Sequence, residues 1–317
     1  MKTYLPYSLI LAAAASGMAS GAQTAYTTPV GYVTASILPN VSNSPAGSAT
    51  FIAASLVTPA VFSAGAVSSP SGGKVITFSG GVPTNLNSTY VLEIKTGSQE
   101  GWWSAITGST ATTVAVFDTF PASLPANVQI TVRKFSTVQD VFGNNSPGLG
   151  AADEIQILNP VNQAASVVIY AGGWFDQVTE DPAGGTIIYP GTAVKVIHRA
   201  NTTLSVVSSG EVKTTKTQVD LFANDNWLGQ PNPTGGTFGT MQLGSQVLGT
   251  DFVNLIGPDA GIGQPTTSFA SVGGILYNIV TEDNATSQPV SQGTGCLITR
   301  PVGGDSTITI PAQVIAP

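Results

Sequence analysis

Apolar and polar residues alternate in one short segment after another along this chain. Most of these segments are rich in β-branched and aromatic residues, and Gly, Pro, Asn or Ser bounds each of them. A period of two that is interrupted by turn residues is typical of short antiparallel strands. Clear examples are residues 32–37, 90–94, 128–132 and 193–197.

Helical periodicity is nearly absent by contrast. After the first 22 residues, only a turn or two near residues 55–60 or 137–142 has a helical pattern. A parallel sheet would need repeated crossover helices, and the sequence predicts none. The pattern therefore predicts an all-β fold.

A second pattern emerges when the chain is compared with itself. An ordered series of Asp, Gly-Gly, Val-Thr-Glu-Asp, Gly and Arg recurs about 100 residues further on. A weaker similarity relates residues 30–57 to 217–243. We expect two related antiparallel units, each β-sandwich or barrel-like, which arose by internal duplication and pack about a pseudo-twofold axis. The first copy contains Asp153, Gly172-Gly173, 178–181, Gly191 and Arg199, and the second contains Asp251, Gly273-Gly274, 280–283, Gly295 and Arg300.

The N-terminus has the pattern of a secretory signal peptide. Lys2 precedes an apolar stretch, and small residues follow it up to Ala22. A membrane-anchoring helix is the alternative, but the stretch is shorter than the roughly 20 residues that span a bilayer. The predicted organisation is a signal peptide at 1–22, an N-terminal β unit at 23–141, a first repeat block at 142–211 and a C-terminal β unit with the second repeat block at 212–317.

The rest of the chain predicts export without an anchor. No later stretch is apolar and long enough for a transmembrane helix, so we expect a secreted or cell-surface protein. The single cysteine, Cys296, lies far from the signal peptide, which argues against a lipid anchor. It also excludes an intramolecular disulfide, and its apolar surroundings predict a buried free thiol.

Composition narrows the range of partners. Charged residues make up 9% of the chain, against about 25% in ordinary domains. The net charge is −7, and basic residues do not cluster beyond Arg133-Lys134. Nucleic acid is therefore excluded as a partner, because its phosphates need a basic surface.

A set of segments across most of the chain after residue 22 has a shared pattern with known sequences. These segments are 28–34, 90–94, 100–103, 133–143, 152–155, Gly173-Trp174 and 187–191. They resemble a family of uncharacterised exported proteins of verrucomicrobial bacteria. The resemblance implies export and a β architecture, but it carries no catalytic residue or ligand. The sequence departs from the family pattern near His198 and in its C-terminal third.

Candidate catalytic groups are few. A nucleophile–histidine arrangement needs an imidazole, and only His198 is available, in a predicted strand and without a G-x-S-x-G motif. Glycoside hydrolysis needs two carboxylates at a defined separation. Glu100 and Asp176 lie beside aromatic residues, but adjacent acidic pairs in a strand point to opposite faces. We therefore expect a non-catalytic protein.

The acidic turns contain candidate ligands for calcium, which is the one cofactor that the sequence suggests. Asp181 and Asp283 end the two Thr-Glu-Asp segments, and Asp225 lies between two asparagines. Calcium prefers clustered oxygen ligands, but the sequence has no EF-hand loop. The favoured interpretation is a structural turn in which the aspartate caps backbone amides, with no cofactor bound.

Tryptophans are the candidate ligand-binding residues. Sugar rings dock on exposed aromatic faces. Trp102-Trp103 and Trp174 belong to adjacent aromatic pairs, and Trp227 is predicted in a loop. The alternative is that these rings fill the core.

Three functional hypotheses follow from these features. The leading hypothesis is a structural or interaction protein of the cell envelope or extracellular matrix, which associates with itself or other envelope proteins through β edges. The alternative is a carbohydrate-binding module that uses the exposed tryptophan pairs. A glycan-cleaving enzyme ranks third.

Overall fold

The computed structural model describes residues 29–41, 44–68, 72–146, 148–159, 161–260 and 266–312. Strands make up 47% of the structure and helices 4%, and the strands form several antiparallel sheets. The predicted all-β fold class is confirmed. The predicted signal peptide at 1–22 lies outside the described residues. In the described segments, no helix has the length and apolar character needed to cross a membrane.

In the described segments, twenty-five strands and two short α-helices follow one another. The first ten strands are β1 (Val30–Ile37), β2 (Ser48–Ala53), β3 (Leu56–Val57), β4 (Ala60–Gly65), β5 (Val75–Thr77), β6 (Tyr90–Ile94), β7 (Trp103–Ser109), β8 (Thr113–Val116), β9 (Gln129–Lys134) and β10 (Ser136–Thr137). They are followed by α1 (Val138–Phe142), β11 (Glu154–Asn159), β12 (Ala164–Tyr170), β13 (Trp174–Asp176), β14 (Ile187–Ile188), β15 (Ala193–His198) and β16 (Leu204–Val212). The last elements are β17 (Thr217–Leu221), β18 (Asn224–Gly229), β19 (Gly236–Thr237), α2 (Leu243–Gln246), β20 (Phe252–Leu255), a 3-10 turn (Pro258–Ala260), β21 (Thr267–Val272), β22 (Ile275–Asn278), β23 (Pro289–Val290), β24 (Gly295–Arg300) and β25 (Ser306–Ile310).

Unit 1, as we name it, combines strands from both sides of a long insertion. Its main sheet has the order β13-β12-β11-β15-β2, and a second sheet has the order β1-β16-β3. Alternate residues such as Val194 and Val196 point into the core between the sheets. Because β1 pairs with β16 and β2 with β15, these sheets cross the predicted boundary at residue 141.

Unit 2 has a main sheet of the order β22-β21-β20-β24-β18 and a second sheet of β17 and β25. The two main sheets match strand for strand, and β17 and β25 correspond to β1 and β16, while β3 of unit 1 is an additional strand. The small pairs β10–β14 and β19–β23 also correspond. The duplication that the sequence predicts is a claim about ancestry, and it stays a prediction.

Unit 3 is the insertion, which lies between β3 and β10. Its six strands have the order β4-β9-β6-β7-β8-β5. The sheet closes on itself because the chain after β4 bonds to β5: Val67 N–H donates to Thr77 O over 2.8 Å, and Thr77 N–H donates to Ser68 O over 3.0 Å. Fully buried side chains fill its interior, among them Leu92, Ile94, Ile106 and Ile130.

Units 1 and 2 meet through two equivalent contacts. Ala53 N–H donates to Gly293 O, and Gly229 N–H donates to Gly191 O, each over 2.8 Å. Gly191 and Gly293 have φ values of 74° and 69°, which glycine adopts without strain. The paired contacts place a local twofold relation between the units.

The two predicted helical turns had different outcomes. Residues 138–142 form α1, which Thr137 and Asp140 start with a reciprocal capping box. Residues 56–57 are strand instead, because β3 pairs with the end of β16.

Candidate functional site

Trp102 and Trp103 lie at a cleft between units 2 and 3. The cleft has a volume of about 230 Å³. Unit 3 contributes the two tryptophans, and β17 of unit 2 contributes the facing polar side chains. The lining residues are Trp102, Trp103, Asp118, Thr119, Gln218 and Asp220.

Both tryptophans are half-buried and packed. The Trp103 ring stacks on Tyr189 at 5.9 Å, and its Nε1–H donates to Gln218 O over 2.9 Å. The Trp102 ring lies 4.8 Å from that of Phe120. These contacts hold the rings at the wall of the cleft, where part of each remains accessible.

The polar groups of the cleft are also oriented by neighbours. Asp118 Oδ2 accepts a hydrogen bond from Ser104 Oγ over 2.7 Å. Asp220 Oδ1 accepts one from Thr307 Oγ1 over 2.6 Å. Both carboxylates belong to exposed residues, so each can bond a ligand hydroxyl from its other oxygen.

The other two tryptophans do not join this cleft. Trp174 is only 5% exposed, and its Nε1–H donates to Gly143 O over 2.7 Å. It fills the core of unit 1 and offers no free face to a ligand. Trp227 lies in strand β18, not in the predicted loop, and packs 5.5 Å from Phe51.

The acidic segments form turns, but the capping residue differs from the prediction. Asp176 Oδ1 accepts the N–H groups of Val178 and Thr179, over 2.8 and 2.9 Å. These backbone hydrogen bonds hold the pKa of Asp176 below its usual value, and the bond from Thr179 has the larger effect of the two. Asp181 ends the turn, and its backbone carbonyl accepts the Asp176 N–H.

Unit 2 repeats this turn with an amide in place of the carboxylate. Asn278 Oδ1 accepts the N–H groups of Val280 and Thr281, over 2.8 and 3.1 Å. Asp283 has the position of Asp181, and its carbonyl accepts the Asn278 N–H. Neither predicted aspartate side chain provides the cap.

The three calcium candidates lie on separate elements. Asp225 is in β18, where its Oδ1 accepts a hydrogen bond from Thr299 Oγ1 over 3.0 Å. Asp181 and Asp283 belong to different units. Within the described segments, His, Cys, Asp and Glu side chains form no group of three or more that could hold a metal ion.

His198 is buried and held by acceptors at both ring nitrogens. Nδ1 lies 3.1 Å from Asp153 Oδ2, and Nε2 lies 2.9 Å from Thr202 O. In a nucleophile–histidine–carboxylate arrangement, the nitrogen opposite the carboxylate must face the nucleophile. Here a backbone carbonyl has that place, so His198 is structural.

Cys296 is a buried free thiol, as predicted. Burial raises its pKa to about 12, and the Asp259 carboxylate adds to the rise. Such a thiol is not ionised at neutral pH and does not react as a nucleophile.

The sequence did not reveal a buried group of charged residues between units 1 and 3. Arg133 Nη1 donates to Glu211 Oε2 over 2.7 Å, and Lys213 Nζ contacts Glu93 Oε1. Burial lowers the pKa of Lys213 to about 7. The sequence holds only a weak signal for this buried group, because charged residues at inward positions of a strand are recognised only once the two faces of the strand are known.

The fold and these sites define a class, an all-β chain of three units with packed tryptophans at a unit interface. Comparison with known proteins adds no particular relative, since no family model, curated protein or solved structure matches the chain.

Proposed function

We propose that the chain is an exported, non-catalytic structural protein of the cell envelope or extracellular matrix. It associates with copies of itself or with other envelope proteins through an uncovered strand edge. The observation that carries this proposal is the edge of β1, which is hydrogen-bonded to β16 on one side.

The backbone of β1 alternates between its two sides. Val212 N–H donates to Pro29 O, so the antiparallel pattern turns the N–H and C=O groups of Val30 and Tyr32 away from β16. In the described part of the chain these groups have no hydrogen-bond partner. The same outer side is covered further along, where Gln292 Nε2 donates to Thr34 O over 3.4 Å.

The side chains of β1 do not protect this edge. Natural edge strands usually carry a charge or a proline that discourages pairing. The sequence of β1, VGYVTASI, has neither over eight residues. Val30 and Tyr32 are each 76% exposed, and Val207 on neighbouring β16 is 61% exposed. An open, uncharged edge flanked by apolar side chains favours the addition of another strand.

A charge at the edge tests the proposal. The mature chain from Gln23 would be imaged by negative stain beside the Tyr32→Lys and Val178→Lys variants. Val178 is 86% exposed but lies in a turn, so it is the matched control. The wild type and the control should form ordered assemblies, and the Tyr32→Lys variant should not. Assembly of all three to the same extent would contradict the role of β1.

Glycan binding at the cleft of Trp102 and Trp103 is the second candidate. The cleft combines aromatic faces with the carboxylates of Asp118 and Asp220, a combination suited to sugar hydroxyls and ring faces. Tryptophan fluorescence would be measured against a glycan panel. Asp220→Ala should weaken binding at least about tenfold, and the exposed Asp305→Ala should not. Unchanged fluorescence with every glycan would remove this candidate.

A further inference from the structure

A buried group of charged side chains lies where unit 3 meets the segment between units 1 and 2. Glu93 comes from β6 and Arg133 from β9, and Lys213 directly follows β16. These residues are 5%, 6% and 8% exposed. Neither proposed function uses this group.

The two oxygens of the Glu93 carboxylate have different neighbours. Lys213 Nζ contacts Oε1, and Thr215 Oγ1 donates to the same oxygen over 3.2 Å. Arg133 Nε lies 3.9 Å from Oε2 and has no hydrogen-bond partner in the described part of the chain. One oxygen therefore faces an amine, and the other faces an unsatisfied guanidinium N–H.

The guanidinium is held in this place from its far side. Arg133 Nη1 donates to Thr58 O over 2.6 Å and to Glu211 Oε2 over 2.7 Å. These two bonds fix the side chain, so Nε keeps its position beside Glu93. A fixed donor stabilises charge that develops next to it during a reaction.

The surroundings favour a neutral, nucleophilic amine. Side chains of Val91, Phe135 and Ile188 line the site and limit the access of water. Burial lowers the pKa of Lys213 to about 7. At neutral pH a large share of the amine is therefore uncharged, as a nucleophilic lysine requires.

We propose that Lys213 and Glu93 condense within the folded chain to form an intramolecular amide bond. The Lys213 ammonium first passes one proton to Glu93 Oε1, which gives a neutral amine and a neutral carboxylic acid. Nζ then attacks the carboxyl carbon Cδ, and negative charge develops on Oε2 beside Arg133 Nε. A second proton passes from Nζ to Oε1, the Cδ–Oε1 bond breaks, and Oε1 leaves as water. The ion pair of ammonium and carboxylate thus gives one amide and one water, with no other reactant.

The folded structure favours this product. The reacting groups are already in contact, which removes the entropic cost of bringing them together. Two buried charges, which are costly to desolvate, become one neutral amide. Exclusion of water slows the reverse hydrolysis.

The bond would add a covalent cross-link between unit 3 and the segment that joins units 1 and 2. Glu93 belongs to unit 3, and Lys213 lies between β16 of unit 1 and β17 of unit 2. The sequence contains a single cysteine, so the chain forms no internal disulfide. An amide is a cross-link that an exported chain can form without an oxidant.

Intact-mass spectrometry tests the proposal on the full chain, expressed with its N-terminal segment, purified and denatured. The wild type should be lighter than its sequence mass by one water. Protease digestion should release a branched peptide that joins Lys213 to Glu93. Lys213→Arg keeps the charge but lacks the lysine amine, so it should have its full sequence mass. Lys134→Arg changes an exposed lysine of the same unit interface and should keep the loss of water.

The masses are read on denatured chains, so they do not depend on whether a variant unfolds during measurement. The branched peptide in the wild type supports the bond independently of any variant. A wild-type chain at its full sequence mass would overturn the proposal. A loss of water that persists in Lys213→Arg would overturn it as well.

Discussion

Units 1 and 2 each place a basic side chain against a buried aspartate at a corresponding position, but the basic side chain differs between the units. In unit 1, His198 Nδ1 lies 3.1 Å from Asp153 Oδ2. In unit 2, Arg300 Nη2 lies 2.8 Å from Asp251 Oδ2. His198 and Arg300 end the corresponding strands, β15 and β24. Both ring nitrogens of His198 face oxygen atoms, Asp153 Oδ2 and Thr202 O.

Other corresponding positions differ in the same way. After the acidic turn of unit 1, the N–H of Ala183 donates to the carbonyl of Trp174. In unit 2, the N–H of Ala285 donates to the carbonyl of Leu276. The backbone is retained, since Glu180 and Glu282 have φ values of 61° and 60°. The comparison teaches that turn geometry and the buried aspartate define the unit, while the side chains that fill the core vary.

Removal of Arg300 should have the largest effect. Both Arg300 and Asp251 are fully buried, so Arg300→Met leaves a carboxylate without its ionic partner. The free energy of unfolding should fall by about 3–5 kcal/mol. Denaturant unfolding would measure it. The control is Lys216→Met, whose side chain is 49% exposed beside Glu100 and should contribute less than about 1 kcal/mol. Equal losses of unfolding free energy in the two variants would show that burial of the ion pair does not determine the effect of breaking it.

Replacing Trp174 by leucine, as found in unit 2, should have the next largest effect. The change removes the bond to Gly143 O and the contacts with Phe142 and Tyr170, whose rings lie at 6.0 and 5.0 Å. The free energy of unfolding should fall by about 2–4 kcal/mol. Half-buried Trp227→Leu should cost less in the same denaturation measurement. A larger loss at Trp227 would contradict the assignment of Trp174 to the core.

Asp176→Asn should have the smallest effect, confined to acid. The folded-state pKa of Asp176 is lowered, so its contribution is present above the unfolded-state pKa and is lost as the pH falls through the folded-state pKa. The variant copies Asn278, which does not titrate, and should flatten this acid limb. Thermal unfolding from roughly pH 6 to pH 2 measures it. If thermal stability fell with pH equally in the variant and the wild type, the titration of Asp176 would not be linked to stability.

Sequence alternation predicted individual strands well. Residues 193–197 fall within β15, and residues 90–94 coincide with β6. Strand partners were harder, because the pairing of β1 with β16 joins distant segments across an insertion. Alternation specifies which face of a strand is buried, but it does not specify the neighbouring strand.

The repeat pattern was informative but slightly misaligned. Residue identity matched Gly191 with Gly295 and Arg199 with Arg300. In the structure Gly191 corresponds to Gly293, since each accepts the equivalent contact between units. The side chain that faces the aspartate in unit 1 is likewise His198, and a comparison of residue identity does not pair a histidine with an arginine.

The candidate sites depended on contacts that the sequence does not contain. Trp102 and Trp103 reach a cleft because Gln218 and Asp220 of another unit lie opposite them. Their role in ligand binding stays a prediction. Trp174 was indistinguishable from them in sequence and is buried. Lys213 and Glu93 come together only because β6 and the end of β16 belong to adjoining units.

The central claim is that the chain associates through the open edge of β1. Size-exclusion chromatography with light scattering on the mature chain from Gln23, over a series of protein concentrations, tests it most directly. The account predicts a molar mass above that of one chain, which rises with concentration and returns to one chain in Tyr32→Lys. A wild-type molar mass of a single chain at every concentration would contradict it.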